Sequence, residues 1–142
     1  MTRPILLVDD EPEFRFSASV ALRRAGYKVR VAASGGEALS AVLDARETGE
    51  AFALLITDIR MPGMSGTELI DAVRDAGLRI KFCVITGFSD RDLQRELGAR
   101  GCVEYIEKPF EPKDLVARVG TILGASPGDA DGKRNVVPLR EA

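Results

Sequence analysis

Acidic residues gather at two points of this 142-residue chain: Asp9, Asp10 and Glu11 follow one aliphatic run, and Asp58 closes another. Thr86 and Lys108 close two further runs. If the strands bearing the acids are neighbours, three carboxylates converge on one small volume, because adjacent strands lie about 4.8 Å apart. Such charges repel unless a cation joins them. Oxygen donors without thiolate or imidazole suit a hard ion, and Mg²⁺ is commonly held by one or two carboxylates plus phosphate oxygens and water. Asp9, Asp10 and Asp58 are therefore candidate metal ligands. Thr86 would stand one strand from Asp58 and Lys108 two strands away, roughly 10 Å across the sheet, a distance a lysine stem largely covers. Three carboxylates, one dication and one ammonium sum to neutrality. A site so composed can receive a phosphoryl group, whose oxygens the metal and the ammonium neutralise. A carboxylate nucleophile would then carry it as an acyl phosphate.

Each residue also has a plainer reading. Asp9, Asp10 and Glu11 could cap a helix and complement its macrodipole. Asp58 could serve the turn before Met61-Pro62-Gly63. Thr86 could be an ordinary strand residue and Lys108 a solvated charge. Their common location at the ends of strands is what favours an ion site.

The elements that would position them can be read from hydrophobic patterning. Short apolar runs at Ile5–Val8, Val29–Ala32, Leu54–Thr57, Phe82–Ile85 and Val103–Ile106 alternate with helix-period stretches, the pattern of an α/β domain with a parallel sheet. The first helix carries Phe14, Ala18, Ala21, Leu22 and Ala25 on one face, starts near Pro12 and stops at Gly26. Later helices carry Ala38, Leu39, Val42 and Leu43; Leu69, Ile70, Val73 and Ala76; Leu93 and Leu97; and Leu115, Val119 and Ile122. Runs one, three and four are continuously apolar, as strands buried on both faces should be. Runs two and five mix in polar residues, as edges do. Right-handed crossovers then give the order 2-1-3-4-5, a flavodoxin-like doubly wound sheet whose ligand site lies at the switch point beyond strands one and three.

Composition narrows the chemistry further. The chain has no histidine, which excludes Ser-His-Asp and Cys-His catalysis and any zinc site that needs imidazole. Its net charge of −2 without a basic block disfavours direct nucleic-acid binding. No apolar run approaches the roughly 20 residues of a membrane span and no signal peptide is evident, so a cytoplasmic location is expected. Cys83 and Cys102 lack CxxC spacing and read as reduced structural thiols. Residues 1–124 are expected to form one domain. Residues 125–142, beginning Ala-Ser-Pro-Gly-Asp, read as a flexible tail or a cut linker.

The ordered set Leu6-Leu7-Val8-Asp9-Asp10-Glu11-Pro12, Asp58-Ile59-Arg60-Met61-Pro62-Gly63-Met64-Ser65-Gly66, Thr86-Gly87 and Tyr105-Ile106-Glu107-Lys108-Pro109-Phe110 resembles the receiver domain of two-component response regulators. The resemblance covers about residues 3–124. It implies that Asp58 accepts a phosphoryl group from a phosphohistidine on a sensor histidine kinase or a histidine phosphotransfer protein. It further implies Mg²⁺ on Asp9, Asp10, Asp58 and the backbone carbonyl of Arg60, with Thr86 and Lys108 on the phosphoryl oxygens. By the same resemblance Tyr105 is a switch aromatic that follows Thr86, and the Lys108–Pro109 peptide bond is cis. The protein would then be a signalling switch that catalyses its own phosphorylation and dephosphorylation. Its output, a homodimer or a further domain, would use the face of helix four, strand five and helix five, where Arg91, Arg95, Lys113 and Arg118 could lie. Phe88 and Arg60 would flank the path of water to the phosphoryl group and slow its hydrolysis. The Glu47–Phe52 stretch would lengthen the second connection.

Other readings share parts of this pattern. A flavodoxin-like electron carrier needs Ser, Thr or Gly donors after the first strand, where this chain has Asp9-Asp10-Glu11. A Mg²⁺-dependent aspartyl-phosphate phosphatase typically shows Asp-x-Asp there. A non-phosphorylated interaction module would need none of the acid, Thr and Lys set. Neither a P-loop nor GxGxxG occurs.

Overall fold

Strand-forming runs and amphipathic stretches alternate through the chain, and a computed structural model shows how they assemble. It describes residues 3–87, 91–108 and 110–124. The expectations placed on Phe88, on Pro109 with its peptide bond, and on residues 125–142 lie outside these. The elements are β1 (Ile5–Val8), α1 (Pro12–Arg24), β2 (Val29–Ala32), α2 (Gly35–Thr48), β3 (Leu54–Asp58), α3 (Gly66–Asp75), β4 (Lys81–Thr86), α4 (Arg91–Ala99), β5 (Cys102–Glu107) and α5 (Pro112–Ile122). The five strands pair in parallel in the order β2-β1-β3-β4-β5. This is the expected flavodoxin-like (βα)5 sandwich.

Period-two alternation along each strand sends side chains to two apolar layers. Leu6, Val8, Leu55 and Val84 meet residues of α2, α3 and α4, including Ala38, Val42, Leu69, Val73 and Leu97. Ile5, Leu7, Leu54, Ile56, Cys83 and Ile85 meet Ala18 and Leu22 of α1 and Leu115 and Val119 of α5. Leu22 has no exposed surface, so Leu22→Ala would cost about 2–5 kcal/mol in lost burial and cavity formation. Both cysteines are free thiols; burial pushes the Cys102 pKa up to about 11 and holds that of Cys83 well above its ordinary value.

Three details differ from the sequence reading. Ala25 is exposed, while Ser19 is buried in α1 and donates its hydroxyl to the Phe16 carbonyl at 3.0 Å. Glu47 and Thr48 extend α2, which ends at Gly49 with φ 82, so the connection to β3 is shorter than the stretch suggested. β5 is an edge strand as expected, yet its Glu104 is buried and accepts from Arg118 Nη1 of α5 at 3.0 Å. A polar residue on an edge strand thus turned inward because the neighbouring helix supplies a cation.

Candidate functional site

The switch in strand order brings the carboxyl ends of β1 and β3 together. Val8 pairs with Thr57, so Asp9, the next residue, emerges beside Asp58. One carboxylate oxygen from each of Asp9, Asp10 and Asp58 lies within 4.8 Å of the others. Asp9 is wholly buried and Asp58 is 8% exposed. Local turns fix both side chains: Asp9 Oδ1 accepts the Glu11 N–H at 2.8 Å, and Asp58 Oδ1 accepts the Arg60 N–H at 3.1 Å. Arg15 Nη1 holds the Asp9 carbonyl at 2.8 Å. The plainer reading of these acids as a helix cap is not what forms. The N-cap of α1 is Glu11, and its side chain makes no capping hydrogen bond.

Lys108 reaches the cluster from the far side. Its N–H donates to the Thr86 carbonyl at 2.8 Å, which carries the chain just past β5. Its Nζ then lies 3.0 Å from Asp58 Oδ2, 3.3 Å from Asp9 Oδ2 and 3.1 Å from Glu11 Oε1. The sequence led us to expect the ammonium to reach a group attached to Asp58; it reaches the carboxylate itself. The ammonium also meets an aromatic ring: Nζ stands 4.8 Å from the Phe14 ring centroid, and Phe110 meets Phe14 edge to face at 5.7 Å. Burial alone would lower the lysine pKa. The hydrogen bond to Asp58, the charges of Asp9 and Asp58 and the bond to Glu11 outweigh it and raise the pKa above the ordinary lysine range. Burial also raises the Asp9 pKa, more than the Glu11 N–H and the Lys108 charge lower it.

Asp10, Glu11, Asp58, Arg60, Thr86, Gly87 and Lys108 line an open cleft of about 530 Å³. Thr86 is 1% exposed at the end of β4, whose Ile85 pairs with Asp58. The predicted acids, Thr86, Arg60 and Lys108 are therefore brought together. Tyr105 is not among the cleft residues; it is half-buried on β5 against the layer that holds α2, α3 and α4.

The sequence reading assigned Glu11, Phe14 and Gly66 no part in this site. A Cβ on Gly66 would stand 2.2 Å from the Asp58 carbonyl oxygen, and the Gly66 N–H donates to the Ile59 carbonyl at 2.9 Å. Only a residue without a side chain lets the start of α3 lie against the strand end that bears Asp58. The signal available was the Ser65-Gly66 pair opening an apolar-periodic stretch. Ser65 and Glu68 do form a reciprocal capping box there.

The chain belongs to the response regulator receiver domain family, which matches residues 5–120. It is 34% identical over 133 residues to the transcriptional regulatory protein FixJ of Rhizobium meliloti, covering 92% of this chain and 63% of that one. It is 34% identical over 119 residues to the sensor kinase CckA of Brucella abortus, covering 84% of this chain and 12% of that protein. Among solved structures, the chemotaxis protein CheY4 of Vibrio cholerae superposes with a TM-score of 0.77 at 31% identity, over 86% of this chain and 99% of that one. This chain thus spans less than two thirds of the length of those two curated relatives. Family membership makes it a phosphoacceptor module of two-component signalling, a class whose members bind Mg²⁺ at an acidic pocket. Among the described residues, no helix is long and apolar enough to cross a membrane.

Proposed function

We propose that Asp58 is the phosphoacceptor and that the cleft around it carries out phosphoryl transfer from a phosphohistidine. One observation carries this reading: the Lys108 ammonium sits 3.0 Å from a carboxylate that shares its acid cluster with Asp9 and Asp10 and opens to a solvent cleft. In the reaction, an Asp58 carboxylate oxygen attacks phosphorus as the phosphorus–nitrogen bond of the donor breaks. The departing imidazole keeps that electron pair. Lys108 gives up one of its carboxylate partners to donate to a phosphoryl oxygen, and the Thr86 hydroxyl donates to another.

The donor set fits a divalent hard cation, since three carboxylates from the ends of β1 and β3 converge and the chain has no imidazole. Asp9, Asp10 and Asp58 would hold it, with the backbone carbonyl of Arg60. Mg²⁺ bound there would neutralise charge on the transferring group.

Movement of Thr86 toward the phosphoryl group would draw in Tyr105 and reshape the face of α4, β5 and α5. A sensor histidine kinase or histidine phosphotransfer protein is the proposed donor. The reshaped face would serve a second copy or an output domain, joined through residues 125–142 where these act as a linker, and the whole would work in the cytoplasm. The phosphatase and phosphorylation-independent readings are not favoured by the family to which the chain belongs.

The test is incubation with Mg²⁺ and acetyl phosphate, followed by mass spectrometry of peptides. Modification at Asp58 that disappears in Asp58→Asn supports the reading. Modification that persists at another residue in Asp58→Asn, or none in the parent protein, overturns it.

A further inference from the structure

An ammonium carries three N–H donors and no acceptor. In this protein all three have carboxylate partners: Asp58 at 3.0 Å, Glu11 at 3.1 Å and Asp9 at 3.3 Å. The three are not equivalent. The side chains of Asp9 and Asp58 are 0% and 11% exposed, and each also accepts a backbone N–H through its other oxygen. Glu11 is 63% exposed, so its carboxylate can turn to water at little cost. Any phosphoryl oxygen on Asp58 that takes a bond from Lys108 must displace one of the three. Glu11 is the partner most easily released.

From this geometry we infer that Glu11 is a latch on Lys108, a positioning residue that holds the ammonium across the acid cluster and opposes its transfer to the incoming phosphoryl group. The inference rests on the reading of Asp58 and Lys108 given above. It also accounts for how α1 begins. The chain leaves β1 through a turn closed by the Asp9 carboxylate on the Glu11 N–H, and that turn leaves the Glu11 side chain facing Lys108 instead of capping the helix. Nζ also stands 4.8 Å from the Phe14 ring centroid, a cation–π contact that adds to what holds the ammonium beside the acids.

A latch that competes for Lys108 only as the phosphoryl group arrives acts on the transition state, and its removal appears in the maximal rate rather than in KM. Simple repulsion of an anionic donor by an exposed carboxylate would appear in KM instead. The experiment measures phosphorylation of Asp58 by acetyl phosphate at saturating Mg²⁺ in the parent protein, Glu11→Gln, Glu11→Asp, Lys108→Met and the double variant Glu11→Gln/Lys108→Met. Mg²⁺ binding is measured calorimetrically on each without donor. We expect Glu11→Gln to raise the maximal rate about two- to fivefold, the range of one exposed ion pair, with KM changed less. Glu11→Asp, which keeps the charge but shortens the reach, should fall between. In the Lys108→Met background the same substitution should have no effect, because the latch has nothing to hold.

An unchanged or lower maximal rate in Glu11→Gln overturns the latch, as does an equal gain in the Lys108→Met background. A loss of Mg²⁺ affinity of roughly tenfold or more in Glu11→Gln would make Glu11 part of the metal site and also overturn it. If Asp58 is not phosphorylated in the parent protein, the failure belongs to the underlying reading and not to Glu11.

Discussion

Lys108 Nζ and Asp58 Oδ2 lie 3.0 Å apart, though fifty residues separate them in the chain. This one ion pair joins the loop after β5 to the end of β3 and spans β4 between them. It also places the only cation that reaches the acid cluster among the ion pairs of the described residues. In the proposed reaction the ammonium that would meet the phosphoryl oxygens is thus already seated beside the accepting carboxylate.

Lys108→Met should destabilise the protein, because it leaves the buried Asp9 and Asp58 carboxylates without their compensating charge. Loss of one partner from a largely buried pair costs roughly 3–5 kcal/mol, and the part-exposed Lys108 places the expected value at the lower end or below. Urea unfolding with and without Mg²⁺ provides the measurement. The deficit should shrink when Mg²⁺ is present, since ligand that binds only the folded state adds to its stability.

Stability should also depend on pH through Asp9, whose folded pKa is raised by burial. The folded carboxyl therefore holds its proton to a higher pH than the unfolded one. Between the ordinary aspartate value of 3.8 and that raised value, folded protein binds more protons, so this group makes stability fall as pH rises. The Asp9→Asn protein should be more stable than the parent at neutral pH without divalent ions, and the difference should narrow as pH is lowered through this window. Lys108 has the opposite linkage: its raised folded pKa contributes stability that is complete below the ordinary lysine value of 10.5 and is lost as pH rises through the folded value. Thermal melts across pH for the parent and Asp9→Asn would show both trends.

Gly66→Ala should damage the site from outside it. The new methyl would fall 2.2 Å from the Asp58 carbonyl oxygen and 3.0 Å from the Ile59 Cα, so α3 or the end of β3 must move. Overpacking of this kind costs about 1–3 kcal/mol. The expected result is a lower melting temperature together with slower phosphorylation of Asp58, because the strand end carries the carboxylate.

Arg60 lines the cleft two residues past Asp58. Arg60→Ala should open a path for water and hasten loss of the phosphoryl group, and Phe88→Ala should add to the effect. Decay of isolated phosphoprotein, followed by intact-mass spectrometry, is the measurement; decay no faster in either variant would count against a shielding role.

Patterning along the chain is enough to lay out the sheet and to bring most of the cluster to one end of it. Continuous apolar runs marked β1, β3 and β4 as central, mixed runs marked β2 and β5 as edges, and right-handed crossovers then left one strand order. That order sets the strand ends bearing Asp9 and Asp58 side by side, and the register that pairs Val8 with Thr57 puts the two carboxylates together. Which partners each side chain takes depends on packing between elements distant in the chain. The inward turn of Glu104 depends on Arg118 from α5, the seat of Lys108 depends on the Phe14 ring from α1, and the need for glycine at position 66 depends on how closely α3 approaches β3. Periodicity reports which face of an element is apolar. It carries no information on the separation of elements distant in the chain, and the ångström-scale fit between them is what sets the third bond of Lys108 on Glu11.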